Sequence, residues 1–189
     1  VKKPFAAVGP EMIDRIHEHE PDVQIKPSEA IMRINRDIRF SKEKIPYNTH
    51  VGANISRYGK KDKSYPGFFF QLSPDGIQIF GGVYRVETAK LQGIRSYIAD
   101  HLTDFTGAYN DPAFQTAFGQ LNGEQNKRLP KEFQEIAEKE PLIANKQFFY
   151  SAQLKSDLIL SDELPDKLME YYMAAKGVNF FLQKAWGNG

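Results

Sequence analysis

The chain has 189 residues and a formal net charge of +1, from 25 Lys+Arg against 24 Asp+Glu, so no global field exists to hold DNA or an anionic membrane. Hydrophobic residues make up 41% and charged residues 26%, the balance of a soluble globular chain long enough for one domain with a real core. Cysteine is absent, which excludes disulfide staples, thiolate zinc sites and a cysteine nucleophile, and fits a reducing cytoplasm.

The N-terminal "VKKPFAAVGP" holds too short an apolar stretch for a signal peptide, and a start at Val1 in place of Met predicts a processed or truncated terminus. No apolar run approaches the roughly 20 residues that a membrane span needs, so no membrane partner is expected. In "PEMIDRIHEHEP", Met12, Ile13 and Ile16 stand at helical spacing before Pro21, which predicts a short amphipathic helix. His17 and His19 flank Glu18 there. On a helix the two rings point about 200° apart, so they read as solvated surface and not as a shared metal site.

"AIMRINRDIRF" alternates, with Met32, Ile34, Ile38 and Phe40 of one parity and Arg33, Asn35, Asp37 and Arg39 of the other. That pattern predicts a strand with one side toward a core, with a helix as the competing reading, since positions 31, 34 and 38 also share a helical face. "THVGANISRY" predicts a second strand through Val51, Ala53 and Ile55, and "KKDKSYPG" a charged loop. "FFFQLSPDGIQIFGGVY" predicts a hairpin turning at Ser73-Pro74-Asp75-Gly76, with Gly81-Gly82 marking a bulge or a close backbone approach.

Helical spacing returns from Thr88 to about Tyr109 through Leu91, Ile94, Ile98, Leu102 and Phe105. "DPAFQTAFG" predicts a second helical piece with Asp111 as N-cap, Pro112 in the first turn and Gly119 as the stop. "NKQFFYSAQL" reads as a late strand, and "SDELPDKLMEYYMAAKGVNFFLQKAW" as a terminal helix, either continuous or broken at Gly177. Strands that cluster first and helices that follow predict a single α+β domain spanning 1–189. Its mostly antiparallel sheet would hold a central hairpin, packed by helices from the C-terminal half. Phe68–Phe70, Phe180, Phe181 and Trp186 are expected in the core.

The segment "RINRDIRFSKEKIPY" gathers the most charge. Arg36 falls on the parity otherwise occupied by apolar residues, and a guanidinium aimed into a core must find a carboxylate, carbonyls or a bound anion. Asp37 is of the other parity and so cannot be its simple partner. With Arg33 and Arg39 it forms a compact ionic row in which the aspartate orients the forks and leaves donors for a phosphate or carboxylate. The bland reading is a charge row on a solvated sheet face, where exposed pairs contribute little.

The same residues carry a resemblance. Arg33, Arg36, Asp37, Arg39 and Phe40, then Lys44, Pro46 and Tyr47, resemble the R-x-x-R-D-x-R-F motif of a mainly bacterial family catalogued as domain of unknown function 2461. The likeness continues through "YNTHVGA", "GFFFQLSPDG", the glycine pair and "VNFFLQKAW", and so covers nearly the whole chain. Glu43 stands where Asp or Asn is usual. The resemblance also implies an N-terminal helical segment, usual in the family, and this sequence is expected to lack it. It implies no activity.

The expectation that follows is an anion-binding pocket for phosphate, nucleotide or carboxylate. Arg33, Arg36, Arg39, Lys42, Lys44 and Tyr47 would be its ligand-binding residues, and Asp37 and His50 the acid–base candidates should phosphoryl or nucleotide chemistry take place. No cofactor or metal is expected: phosphate-cradling, dinucleotide and zinc-protease motifs are all missing. The alternative is a protein or RNA interaction module in which the arginines form a structural ion-pair network. Lys60, Lys61 and Lys63, set between Tyr58 and Tyr65, are the loop that could touch nucleic acid, though such loop tips are usually just solvated. Lys127, Arg128, Lys131 and His101 read as surface.

Overall fold

A computed structural model of the chain describes residues 2–32 and 50–187. The class is α+β, with a four-stranded sheet in the order β1-β2-β3-β4. Its strands are β1 (Val51–Ile55), β2 (Gly67–Ser73), β3 (Gly76–Val83) and β4 (Phe148–Leu154). β1 and β2 run antiparallel in a register that sets Val51 opposite Leu72, Ala53 opposite Phe70 and Ile55 opposite Phe68. Pro74 and Asp75 join β2 to β3, the hairpin that the sequence predicts. β4 runs back along β3, because Gly76 lies against the carbonyl of Leu154 and Gly82 against that of Phe148.

The chain folds as two compact units. The first draws on Val1–Lys63, Gly67–Ile79 and Ala152–Glu170, the second on Ser64–Pro66, Phe80–Ser151 and Tyr171–Gly189.

In the first unit α1 spans Lys2–His19 and carries Pro10 inside it, where the sequence predicts a start at Pro10. The reason is packing. Phe5, Val8, Met12 and Ile16 recur every three or four residues and are all buried, so the apolar stripe outweighs the local cost of a Gly-Pro pair. Phe5 meets Phe70 at 5.6 Å between ring centroids. The sheet face that receives it holds Val51, Ala53, Ile55, Phe68, Phe70, Leu72, Ile77 and Ile79, each buried on the alternate positions that a pleat demands. A one-turn helix, α2 (Pro27–Ala30), precedes Ile31.

In the second unit α3 (Thr88–Asp100) and α4 (Leu102–Tyr109) replace the single predicted helix, because His101 leaves helical geometry at φ −128° and ψ 43°. α5 (Pro112–Phe118) is capped as expected, with Asp111 accepting from the N–H groups of Ala113 at 2.9 Å and Phe114 at 3.3 Å. α6 (Lys131–Lys139) lies where the sequence predicts only surface, and it buries Phe133. The part of α7 (Leu164–Gly187) in this unit passes through Gly177 without a break. Phe105 packs on Phe148 and Phe181, and Phe114 and Phe118 pack on Tyr150, which gives this unit an aromatic core. Phe180 and Trp186 are only half-buried. Of the two readings of Gly81-Gly82, close approach is observed: Gly82 has φ +85°, and a Cβ there would lie 2.2 Å from the Phe148 carbonyl.

Candidate functional site

Arg33, Arg36, Asp37, Arg39, Lys42, Lys44 and Tyr47 lie outside the described residues, as does the strand predicted through Phe40. What is described is the place where that segment leaves and rejoins the fold. Ile31 forms an antiparallel bridge with Ala53, and the Met32 N–H donates to the Gly52 carbonyl at 2.8 Å. The segment therefore departs from one edge of β1 and returns to the start of the same strand. His50 sits at the return point, exposed and immediately before Val51.

A set of polar contacts in the first unit holds the departing chain. Lys60 donates from Nζ to the carbonyl of Ser28 and, at 3.2 Å, to that of Ile31. These are free carbonyls at the C-terminal end of α2, where an ammonium is favoured. Lys60 lies in a 3-10 turn over Gly59–Lys61 whose position β1 fixes, since Asn54 Nδ2 donates to the Gly59 carbonyl at 2.7 Å. Asn54 is buried. Gly59 has φ +55°, and a Cβ there would come within 2.6 Å of the Glu29 carbonyl, so this approach needs glycine.

Glu29 is drawn in from both sides. The Lys26 backbone N–H and the Lys61 ammonium, each at 3.0 Å, hold its carboxyl below the usual carboxylate range. Lys60 and Lys61 thus turn toward α2, while Lys63 is exposed. Sequence reasoning treats Lys60 as a loop tip and passes over Asn54. The only signal for either is Asn54 itself, an amide inside an otherwise apolar strand.

The second unit has two further polar clusters. Arg95, 1% exposed, donates from Nε to the Ile143 carbonyl at 2.9 Å and from Nη2 to those of Ala144 at 3.3 Å and Asn145 at 3.1 Å. Burial lowers its pKa. Those carbonyls end the 3-10 turn Pro141–Ala144, so Arg95 acts as a structural cation. At the other end of that turn the buried Glu140 accepts from the Leu142 N–H at 3.0 Å and from the Tyr109 hydroxyl at 2.6 Å. Burial and this carboxylate push Tyr109 up to about 12.

His17 lines a shallow groove of the first unit with Asp14, Gln24 and Lys26, and its Nδ1 lies 3.0 Å from the Val23 carbonyl. His101 is exposed and stacks on Tyr97 at 4.2 Å. Lys127, Arg128 and Lys131 are exposed, as expected. Among the described residues no group of three or more His, Cys, Asp or Glu is placed to hold a metal ion, and no helix is long and apolar enough to cross a membrane.

No curated protein and no solved structure matches the chain. A family model does, over residues 1–181, a range that includes the arginine segment, the β1 edge and both lysines of the turn. The chain therefore belongs to the family described as "Conserved hypothetical protein (DUF2461)".

Proposed function

We propose that this protein binds a small anion (phosphate, nucleotide or carboxylate) through the segment Arg33–Tyr47. Arg33, Arg36 and Arg39 supply guanidinium forks, Lys42 and Lys44 add charge, Tyr47 donates a hydroxyl, and Asp37 orients the arginines. If a reaction follows binding, phosphoryl or nucleotide chemistry suits a cysteine-free, arginine-rich site, with Asp37 or His50 as acid–base group. The observation that carries this reading is the anchoring of Met32 to Gly52 beside the Ile31–Ala53 bridge. Met32 immediately precedes Arg33, so that bond fixes the chain at the point where the segment begins. His50, exposed at the return point, is within the same stretch of chain.

One observation favours a second reading, in which the arginines are a structural network. Arg95 shows that this fold satisfies a buried guanidinium with backbone carbonyls, and Arg36 could be held in the same way. The nucleic-acid variant of that reading draws no support from Lys60 or Lys61, whose ammonium groups are engaged within the fold.

A thermal-shift panel of phosphate, sulfate, nucleotides, sugar phosphates and short RNA, run on wild type and Arg36→Ala, separates the two. A ligand at 100 times its Kd adds about 2.7 kcal/mol, which is roughly 5–10 °C at this length. A shift of that size in wild type, lost in a mutant that still melts cooperatively, supports the anion site. No shift with any anion, together with an unfolded mutant, supports the network.

A further inference from the structure

We infer that the groove between α1 and the segment Val23–Lys26 is a binding site for a small zwitterion with an apolar body, a free α-amino acid with an aliphatic side chain. It lies within the first unit and is independent of the anion-binding reading. Its volume is about 350 Å³, at the lower end of ligand-sized pockets. The floor is aliphatic: Ile13 and Val23 are buried and Ile25 is half-buried. The two polar walls differ in kind, and that difference selects the ligand.

The α1 wall carries acceptors. Asp14 and His17 are three positions apart and so share one side of the helix. The His17 Nδ1 lies 3.0 Å from the Val23 carbonyl, an oxygen that only accepts. The neutral ring therefore carries its proton on Nδ1 and keeps a bare lone pair on Nε2. Carboxylate and lone pair together suit an ammonium, which has three N–H donors. The other wall carries donors. Burial alternates along Val23–Lys26, and Gln24 and Lys26 stand exposed at the rim above the apolar floor. The Lys26 ammonium and the Gln24 amide suit a carboxylate. A zwitterion with its side chain on Ile13, Val23 and Ile25 meets opposite charge at both ends. A plain anion meets Asp14 as well, and a plain cation meets Lys26.

The test is a proton–nitrogen NMR titration of the full chain with L-leucine at about pH 8, above the ordinary range of an imidazole. It is read at the backbone amides of Asp14, Gln24 and Lys26 and at the His17 ring nitrogens, whose shifts report the tautomer. The Nδ1–H form is expected before ligand is added, and in a groove this shallow leucine should bind in the millimolar range. Isoamylamine lacks the carboxylate of leucine and isocaproate lacks its ammonium; each is expected to bind at least about threefold more weakly. Asp14→Asn should weaken leucine about threefold and isocaproate not at all. Lys26→Met should weaken leucine by a similar factor and isoamylamine not at all. Lys63→Met, at another exposed position of the unit, should leave leucine within about 1.5-fold.

No movement of these signals at about 50 mM leucine would overturn the inference. Isocaproate or isoamylamine binding as tightly as leucine would overturn it too, by reducing the groove to an apolar patch with one useful charge. Equal losses in Lys26→Met and Lys63→Met would do the same, and so would a neutral His17 ring that carries its proton on Nε2, which removes an acceptor from the α1 wall.

Discussion

Arg95→Met removes the one guanidinium that is described as buried, and the structure sets the size of the effect. Two carbonyls, those of Ile143 and Asn145, lose their donor at the end of the 3-10 turn, whereas that of Ala144 keeps the Asn126 N–H at 2.8 Å, and Met fills most of the vacated volume. Each carbonyl left unpaired in a buried position costs about 1–3 kcal/mol. Against this stands the relief of no longer burying a charge, which Arg95 registers as a lowered pKa. The balance is a loss of about 2–4 kcal/mol, from two carbonyls left unpaired less the desolvation that the guanidinium no longer bears. At this chain length that corresponds to roughly 4–16 °C in Tm. Urea unfolding at neutral pH reads it directly, as a lower midpoint with an unchanged slope. Arg95→Lys should fall between wild type and Arg95→Met, since an ammonium has one tip where the guanidinium donates from two nitrogens. An Arg95→Met protein within 1 kcal/mol of wild type would show that the guanidinium is dispensable and that the turn closes by itself.

Three smaller perturbations follow the same logic. Gly82→Ala should cost about 2 kcal/mol or more, because an L-residue is strained at φ +85° and its Cβ would meet the Phe148 carbonyl; a melt is sufficient to read it. Tyr109→Phe strands an oxygen of the buried Glu140 and should cost about 1–3 kcal/mol. It also carries a pH signature. Tyr109 holds its proton to about 12 against an ordinary 10.0, so its contribution is fully present below pH 10 and disappears as pH rises toward 12. The stability gap between wild type and Tyr109→Phe should therefore narrow over that window in alkaline unfolding titrations. Asp111→Ala removes the cap on Ala113 and Phe114 and should cost about 0.5–2 kcal/mol, with hydrogen exchange of those two amides rising first.

Where local chemistry was decisive, the sequence was readable. Pro74-Asp75-Gly76 between two aromatic, β-branched runs gives the hairpin, and Asp111-Pro112 with Gly119 brackets α5. Where tertiary packing overrode local chemistry, it was not. Pro10 opens the stretch that reads as helical, yet the buried stripe from Phe5 to Ile16 carries α1 through it. Arg95 shows a signal that was present and passed over. Leu91, Ile94, Arg95 and Ile98 follow i, i+3, i+4, i+7, which places the arginine on the buried face of α3.

The candidate site divides in the same way. The parity of Arg36 marks the segment from sequence alone, but the contacts at its root depend on residues distant in the chain. Lys60 meets Ser28 and Ile31 only because the fold brings the Gly59–Lys61 turn onto α2. No periodicity encodes that meeting.

The central claim is that Arg36 belongs to an anion site and not to a scaffold. Isothermal titration of pyrophosphate into wild type and Arg36→Ala, with the apo melt of each recorded alongside, addresses it most directly. Measurable binding to wild type, abolished in an Arg36→Ala protein that melts within a few degrees of it, is the predicted result. Binding of wild-type strength in Arg36→Ala, or no binding to wild type together with a mutant that fails to fold, would contradict the claim and leave the arginines as part of the scaffold.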